Sequence, residues 1–163
     1  MTKMTSVTMT RQSQYDDAVK AIYSLCEGED DSVALMASIT CELFHGMDGF
    51  DWVGFYRVTA PTVLKIGPYQ GGHGCLVIPF ERGVCGAAAS QRQTMIVDDV
   101  DAFPGHIACA TSTRSEIVCP VLNADGNLIA VLDIDSDQPG HFDAVDKVNL
   151  EVMLEKIFSR NSH

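Results

Sequence analysis

The chain has 163 residues, 46% of them hydrophobic and 20% charged, with a formal net charge of -11. That length fits one domain able to bury a core without disulfide staples or a structural metal, and the composition is that of an ordinary globular protein. The negative balance argues against a nucleic-acid-binding face, which needs basic residues, and against docking on anionic lipid.

No apolar run approaches the roughly 18 residues that span a bilayer. Residues 1–11 are polar, rich in Thr and Ser, and carry Lys3 and Arg11 with no acid. This stretch lacks the apolar core of a secretory signal and reads as a flexible leader before a single domain over 12–160. Without an export signal the expected compartment is the reducing cytoplasm, where the six cysteines stay thiols unless chemistry uses them.

Tyr15, Val19, Ile22 and Cys26 fall at helical spacing, and Leu35, Ile39 and Leu43 do so after the acidic break Glu27 to Asp31. Two helices are predicted, the second capped by Asp31 or Ser32. Cys26 and Cys41 lie on or beside their apolar faces and read as core. Short strands are predicted over 52–58, 63–70, 76–80 and 94–97, and longer ones over 115–122 and 127–135. Residues 123–127 form a hairpin turn around Gly126, and 83–91 a short helix. The segment 102–114 has neither period and reads as a long loop, a feature usually functional or disordered. From the N-cap Asp143, Val145, Val148, Val152 and Ile157 recur at helical spacing, giving a closing helix that ends near Phe158. Helices on one face of a largely antiparallel sheet make an α+β domain.

Cys109 sits in the loop string Phe103-Pro-Gly-His-Ile-Ala-Cys109. A reactive thiol needs exposure and a lowered pKa, which His106 or loop N–H groups could supply; a thiol tucked under the loop is the alternative. Cys75 follows Gly71-Gly-His-Gly74, and Cys85 lies between Val84 and Gly86. Cys119 alternates within an apolar strand and reads as core. His73 with Cys75 and His106 with Cys109 could supply a Cys₂His₂ zinc set, but neither spacing is a strong ligand pair, so no metal is expected. Asp133 and Asp135 are two apart on one strand and share a face. Glu116 begins the strand across the hairpin, near the same rim. Three acids round one pocket favour a cationic ligand, and one kept protonated could act as a general acid. Trp52, Phe55 and Tyr56 divide between core and pocket wall.

The strings Trp52-Val-Gly-Phe-Tyr56, Gly67-Pro-Tyr-Gln-Gly71, Gly83-Val-Cys-Gly86, Gly105-His-Ile-Ala-Cys109, Ser115-Glu-Ile-Val118 and Leu132-Asp-Ile-Asp-Ser136 resemble the free methionine-(R)-sulfoxide reductases. These are GAF-domain enzymes that act on the free amino acid. The resemblance runs from about Ala34 to Phe158, in order, and the cysteine set distinguishes it from generic GAF domains. It implies a GAF fold with a central antiparallel sheet of about six strands, N- and C-terminal helices packed on one face. It implies Cys109 as catalytic cysteine, and Cys75 or else Cys85 as resolving cysteine. It further implies Glu116, Asp133 and Asp135 as substrate-binding acids, with Trp52, Tyr56 and Tyr69 lining the pocket, and Glu116 or Asp135 as proton donor. Cys119 departs from the family pattern, where an aliphatic residue is expected.

No bound cofactor is implied; thioredoxin, fed by NADPH and thioredoxin reductase, would be the external reductant, and a homodimer is part of the resemblance. The rival is a GAF sensor module, but an acidic rim suits phosphate ligands poorly, and no output domain is recognisable within these residues.

Overall fold

The computed structural model describes residues 9–107 and 109–160; residues 1–8 of the expected leader lie outside them. Thr10 caps α1 (Arg11–Leu25), so Arg11 opens the first helix. There follow α2 (Ser32–Gly46), β1 (Trp52–Ala60), β2 (Val63–Gln70), β3 (Val77–Pro79), α3 (Gly83–Gln91) and β4 (Met95–Val97). A 3₁₀ turn over Val100–Ala102 precedes β5 (Ser115–Leu122), β6 (Leu128–Ser136) and α4 (Ala144–Phe158). The strands form one sheet in the order β3-β2-β1-β6-β5-β4, every neighbouring pair antiparallel. This is the expected α+β architecture.

The central strands read as almost continuous apolar runs because both sheet faces are covered. Alternation assigns each side chain to a face. Val53, Phe55, Ile117, Cys119, Val121, Leu132 and Ile134 join Tyr15, Ile22, Ile39, Leu43, Leu150 and Phe158 in one core under α1, α2 and α4. Trp52, Tyr56, Val118 and Val131 face the other way and pack with Val84, Cys85, Ala88 and Ala89 of α3. The terminal helices therefore take one face, as expected, and the second face is left to α3, the loops and the site. Cys26 and Cys119 both lie in the first core.

Local chemistry explains the helix starts. The Asp31 carboxylate accepts from the N–H groups of Val33 and Ala34 at 2.8 and 2.9 Å, satisfying donors that a first helical turn leaves orphaned. Asp143 and Asp146 make a capping box at α4. Asp146 also accepts from the Tyr15 hydroxyl at 2.7 Å and from Arg11 Nε at 2.8 Å, which clamps α1 to α4.

One sequence reading needs correction, and the buried face of one helix is decided only by the fold. The closing helix forms where expected, but Val145, Val148 and Val152 are on its exposed side, and the buried stripe is Leu150, Met153, Leu154, Ile157 and Phe158. The helix carries two apolar stripes, and spacing alone cannot tell which one the sheet accepts. Cys41 is only half-buried, beside His45 on the outer side of α2, and is not a core residue.

Candidate active site

The strand register assembles the acids. Glu116 on β5 lies opposite Asp135 on β6, which lies opposite Trp52 on β1. In the adjoining row on the same face, Val118, Asp133 and Gly54 are aligned. Directly opposed residues hold their Cβ atoms about 5 Å apart, so three carboxyl groups converge on one spot. Glu116 and Asp133 are each 6% exposed.

Burial is the main force on these groups. It raises Glu116 and Asp135 well above the ordinary carboxylate range, and the Asp133 charge raises both further. Asp133 is pushed up to about 6, burial being partly offset by hydrogen bonds from Glu116 and Cys85. Thr113 donates to Asp135, which offsets its shift in part. The three acids titrate as one unit, with Asp133 ionising first and Glu116 and Asp135 holding protons. One oxygen of Asp133, Oδ1, is buried with no hydrogen-bond partner among the described residues. A buried carboxylate oxygen left unpaired is costly, and it awaits a donor.

Cys75 and Cys109 are joined in a disulfide across 34 residues of sequence, with Cα atoms 5.2 Å apart. Cys109 lies in the loop after the 3₁₀ turn. That loop is pinned at both ends: the Gly83 N–H donates to the Gly105 carbonyl at 3.2 Å, and the Arg114 N–H to Ser136 at 2.8 Å. Cys85 is free and buried on α3. Its sulfur is 4.0 Å from Glu116 Oε1. Burial, with the nearby Asp133 and Glu116 charges, holds it well up as a neutral thiol. The disulfide engages both sulfurs of the hypothetical Cys₂His₂ set; His73 and His106 instead line the cavity.

The inner cavity is walled by Trp52, Tyr56, Cys85, Cys109 and the three acids, and encloses about 30 Å³, room for one or two waters. An outer cleft of about 370 Å³ shares Trp52, Cys109, Thr113 and Asp135 with it and opens to solvent. The Trp52 indole is stacked between Tyr56 and Tyr69, with ring centroids 5.9 and 5.4 Å away, and donates to the Gly72 carbonyl at 2.9 Å. It can lie there because residue 54 is glycine; a Cβ at that position would sit 2.3 Å from the indole. Gly74 makes room in the same way, since a Cβ there would meet Trp52 at 2.9 Å and the Tyr56 hydroxyl at 3.0 Å. Tyr69 buttresses Trp52 and is 37% exposed; it does not line the cavity. Thr113 is the site residue that sequence reasoning missed, because nothing in Ser112-Thr-Arg114 marks it.

Residues 26–157 match the GAF domain family. GAF domain-containing protein A of Dictyostelium discoideum is 42% identical over 146 residues, covering 90% of this chain and 91% of that protein. The free methionine-R-sulfoxide reductase of Escherichia coli is 35% identical over 158 residues, covering 95% and 94%. This chain belongs to the GAF-domain free methionine-(R)-sulfoxide reductase family. A solved free methionine-R-sulfoxide reductase from Neisseria meningitidis, in complex with its substrate, superposes with a TM-score of 0.87 at 39% identity, covering 98% of this chain and 95% of that one. The acid trio lies on the neighbouring strands β5 and β6, beside Trp52 of β1, and Cys109 of the disulfide lines the same cavity from a loop.

Proposed function

We propose that the protein reduces free L-methionine (R)-S-oxide to L-methionine, with Cys109 as nucleophile and Cys75 as resolving cysteine. The observation that carries this reading is the Cys75–Cys109 disulfide at the edge of a cavity lined by three acids, of which Glu116 and Asp133 are buried. A redox-active sulfur needs a reducible substrate, and an unpartnered carboxylate oxygen needs a cation. A zwitterionic amino acid bearing a sulfoxide supplies both.

The ionised Asp133 receives the substrate ammonium at its free Oδ1. Trp52 and Tyr56 flank the substrate, and backbone N–H groups of the Cys109 loop meet its carboxylate. The Cys109 thiolate attacks the sulfoxide sulfur while a protonated acid, Glu116 or Asp135, gives its proton to the oxygen. The oxygen passes to Cys109 as a sulfenic acid, and methionine leaves. The Cys75 thiol then displaces that oxygen as water and closes the disulfide. A dithiol reductant such as thioredoxin, recharged by its reductase and NADPH, exchanges with the bond to restore both thiols and is itself oxidised. This cycle needs a reducing compartment, for which the cytoplasm is the natural choice.

The acid cluster would oppose a thiolate if all three groups were charged. Proton sharing leaves about one charge, which the substrate ammonium neutralises. The inner cavity of about 30 Å³ adjoins the outer cleft through Trp52, Cys109, Thr113 and Asp135. In this cycle the disulfide forms after methionine has left, and its reduction restores the thiols before the next substrate reacts.

The test is a coupled assay with racemic free methionine sulfoxide, thioredoxin, thioredoxin reductase and NADPH. NADPH oxidation should stop near half the sulfoxide, leaving the S epimer, and Cys109→Ser should abolish it. Normal turnover by Cys109→Ser would overturn the assignment.

A further inference from the structure

Cys85 has no part in the disulfide, yet it is sealed into the acid cluster. We propose that Cys85, Glu116 and Asp133 form a binding site for one thiophilic divalent cation, with Zn²⁺ as its representative. One ligand atom from each residue lies within 4.8 Å of the other two, and all three residues are buried. A tetrahedral zinc ion, with bonds of roughly 2.0–2.3 Å, holds its donors roughly 3.3–3.6 Å apart. Side-chain adjustments of an ångström or so therefore close the set.

A second observation points to a ligand independently of the clustering. Asp133 is 6% exposed, and its Oδ1 has no partner among the described residues. A cation would satisfy that oxygen as an ammonium does. The donor set is also selective: one sulfur with two carboxylate oxygens suits zinc better than magnesium or calcium, which take oxygen ligands. The cavity has room for a water in the fourth position. Binding releases the Cys85 thiol proton and any proton on the two acids to solvent, so that thiolate and carboxylates face the metal.

The site does not use the redox sulfurs. With Cys75 and Cys109 closed, Cys85 remains a thiol, so the oxidised protein can hold the ion. Occupancy takes Asp133 from the substrate ammonium, and metal and substrate exclude one another.

The experiment titrates oxidised full-length protein with Co²⁺, read by the thiolate-to-cobalt charge-transfer band, and then with Zn²⁺ by displacement of that band. Wild type should bind one equivalent. Cys41→Ser should bind identically, which disposes of the surface pair Cys41 and His45. Cys85→Ser should lose the band. Asp133→Asn keeps the sulfur and should keep a band while affinity falls about tenfold or more, so the proposal stays testable should Cys85→Ser misfold. No band in wild type, a band surviving in folded Cys85→Ser, its loss in Cys41→Ser, or unchanged affinity in Asp133→Asn would each overturn the site. None of these readouts depends on turnover, so failure here leaves the reductase reading standing, and the reverse also holds.

Discussion

Asp133→Asn should trade activity for stability. Asp133 is buried and its pKa moves from 3.8 to about 6 on folding. An acid with a raised folded-state pKa holds its proton longer in the native state. Its stabilising contribution is complete below pH 4 and is lost as pH rises through about 6. The shift of about two units corresponds to ~3 kcal/mol, the cost of keeping the charge buried at pH 8. Asparagine removes that cost, and it also relieves Glu116 and Asp135, which the Asp133 charge pushes upward. The urea midpoint at pH 8 should therefore rise by about 1–3 M, with the gain vanishing toward pH 4. In the coupled assay, loss of a charge-assisted bond worth about 1.5–3 kcal/mol should lower kcat/KM roughly 10- to 150-fold. A variant less stable than wild type at pH 8, or one with kcat/KM within about twofold of wild type, would refute the account of the buried charge.

Other outcomes follow from the geometry. Cys75→Ser should release up to about one equivalent of methionine per enzyme and then stall with thioredoxin, while peptide mapping of the oxidised wild type should recover the 75–109 link and not one through Cys85. Trp52 is the single tryptophan and hydrogen-bonds the glycine stretch before Cys75, so its fluorescence should change on reduction of wild type and stay constant in Cys75→Ser. Gly54→Ala forces the indole aside and should cost about 1–3 kcal/mol in thermal unfolding, with a matching fall in kcat/KM. Asp146→Ala removes the partner of Arg11 and Tyr15 and half the α4 capping box; about 3–5 kcal/mol of stability should go without loss of active-site thiol reactivity in the folded protein.

The elements were largely legible because their signals are local. Alternation, the Gly126 turn and the Asp31 and Asp143 caps depend on residues a few positions apart, and each strand and helix formed within a few residues of its expected place. The acid trio was legible for a related reason: Asp133 and Asp135 share a face by strand period, and one hairpin brings Glu116 alongside. Cys41 was misread because burial is a property of the neighbour, and in α4 a helix with two apolar stripes does not announce which one meets the sheet. Thr113 was missed because it acts through a single contact with Asp135 and lies in a loop without pattern.

By itself, the amino-acid order determined the α+β class, the strand and helix positions, the family resemblance and the set of candidate sulfurs and acids, all of which rest on short-range spacing or recognisable strings. Which cysteine meets Cys109 was left open between Cys75 and Cys85, and only the folded chain closes the first of these across 34 residues while burying the second against Glu116. The proton-holding character of the trio likewise belongs to tertiary structure. A carboxyl group keeps its proton near neutral pH because water has been removed around it and like charges placed beside it, and both conditions exist only once strands distant in sequence lie side by side.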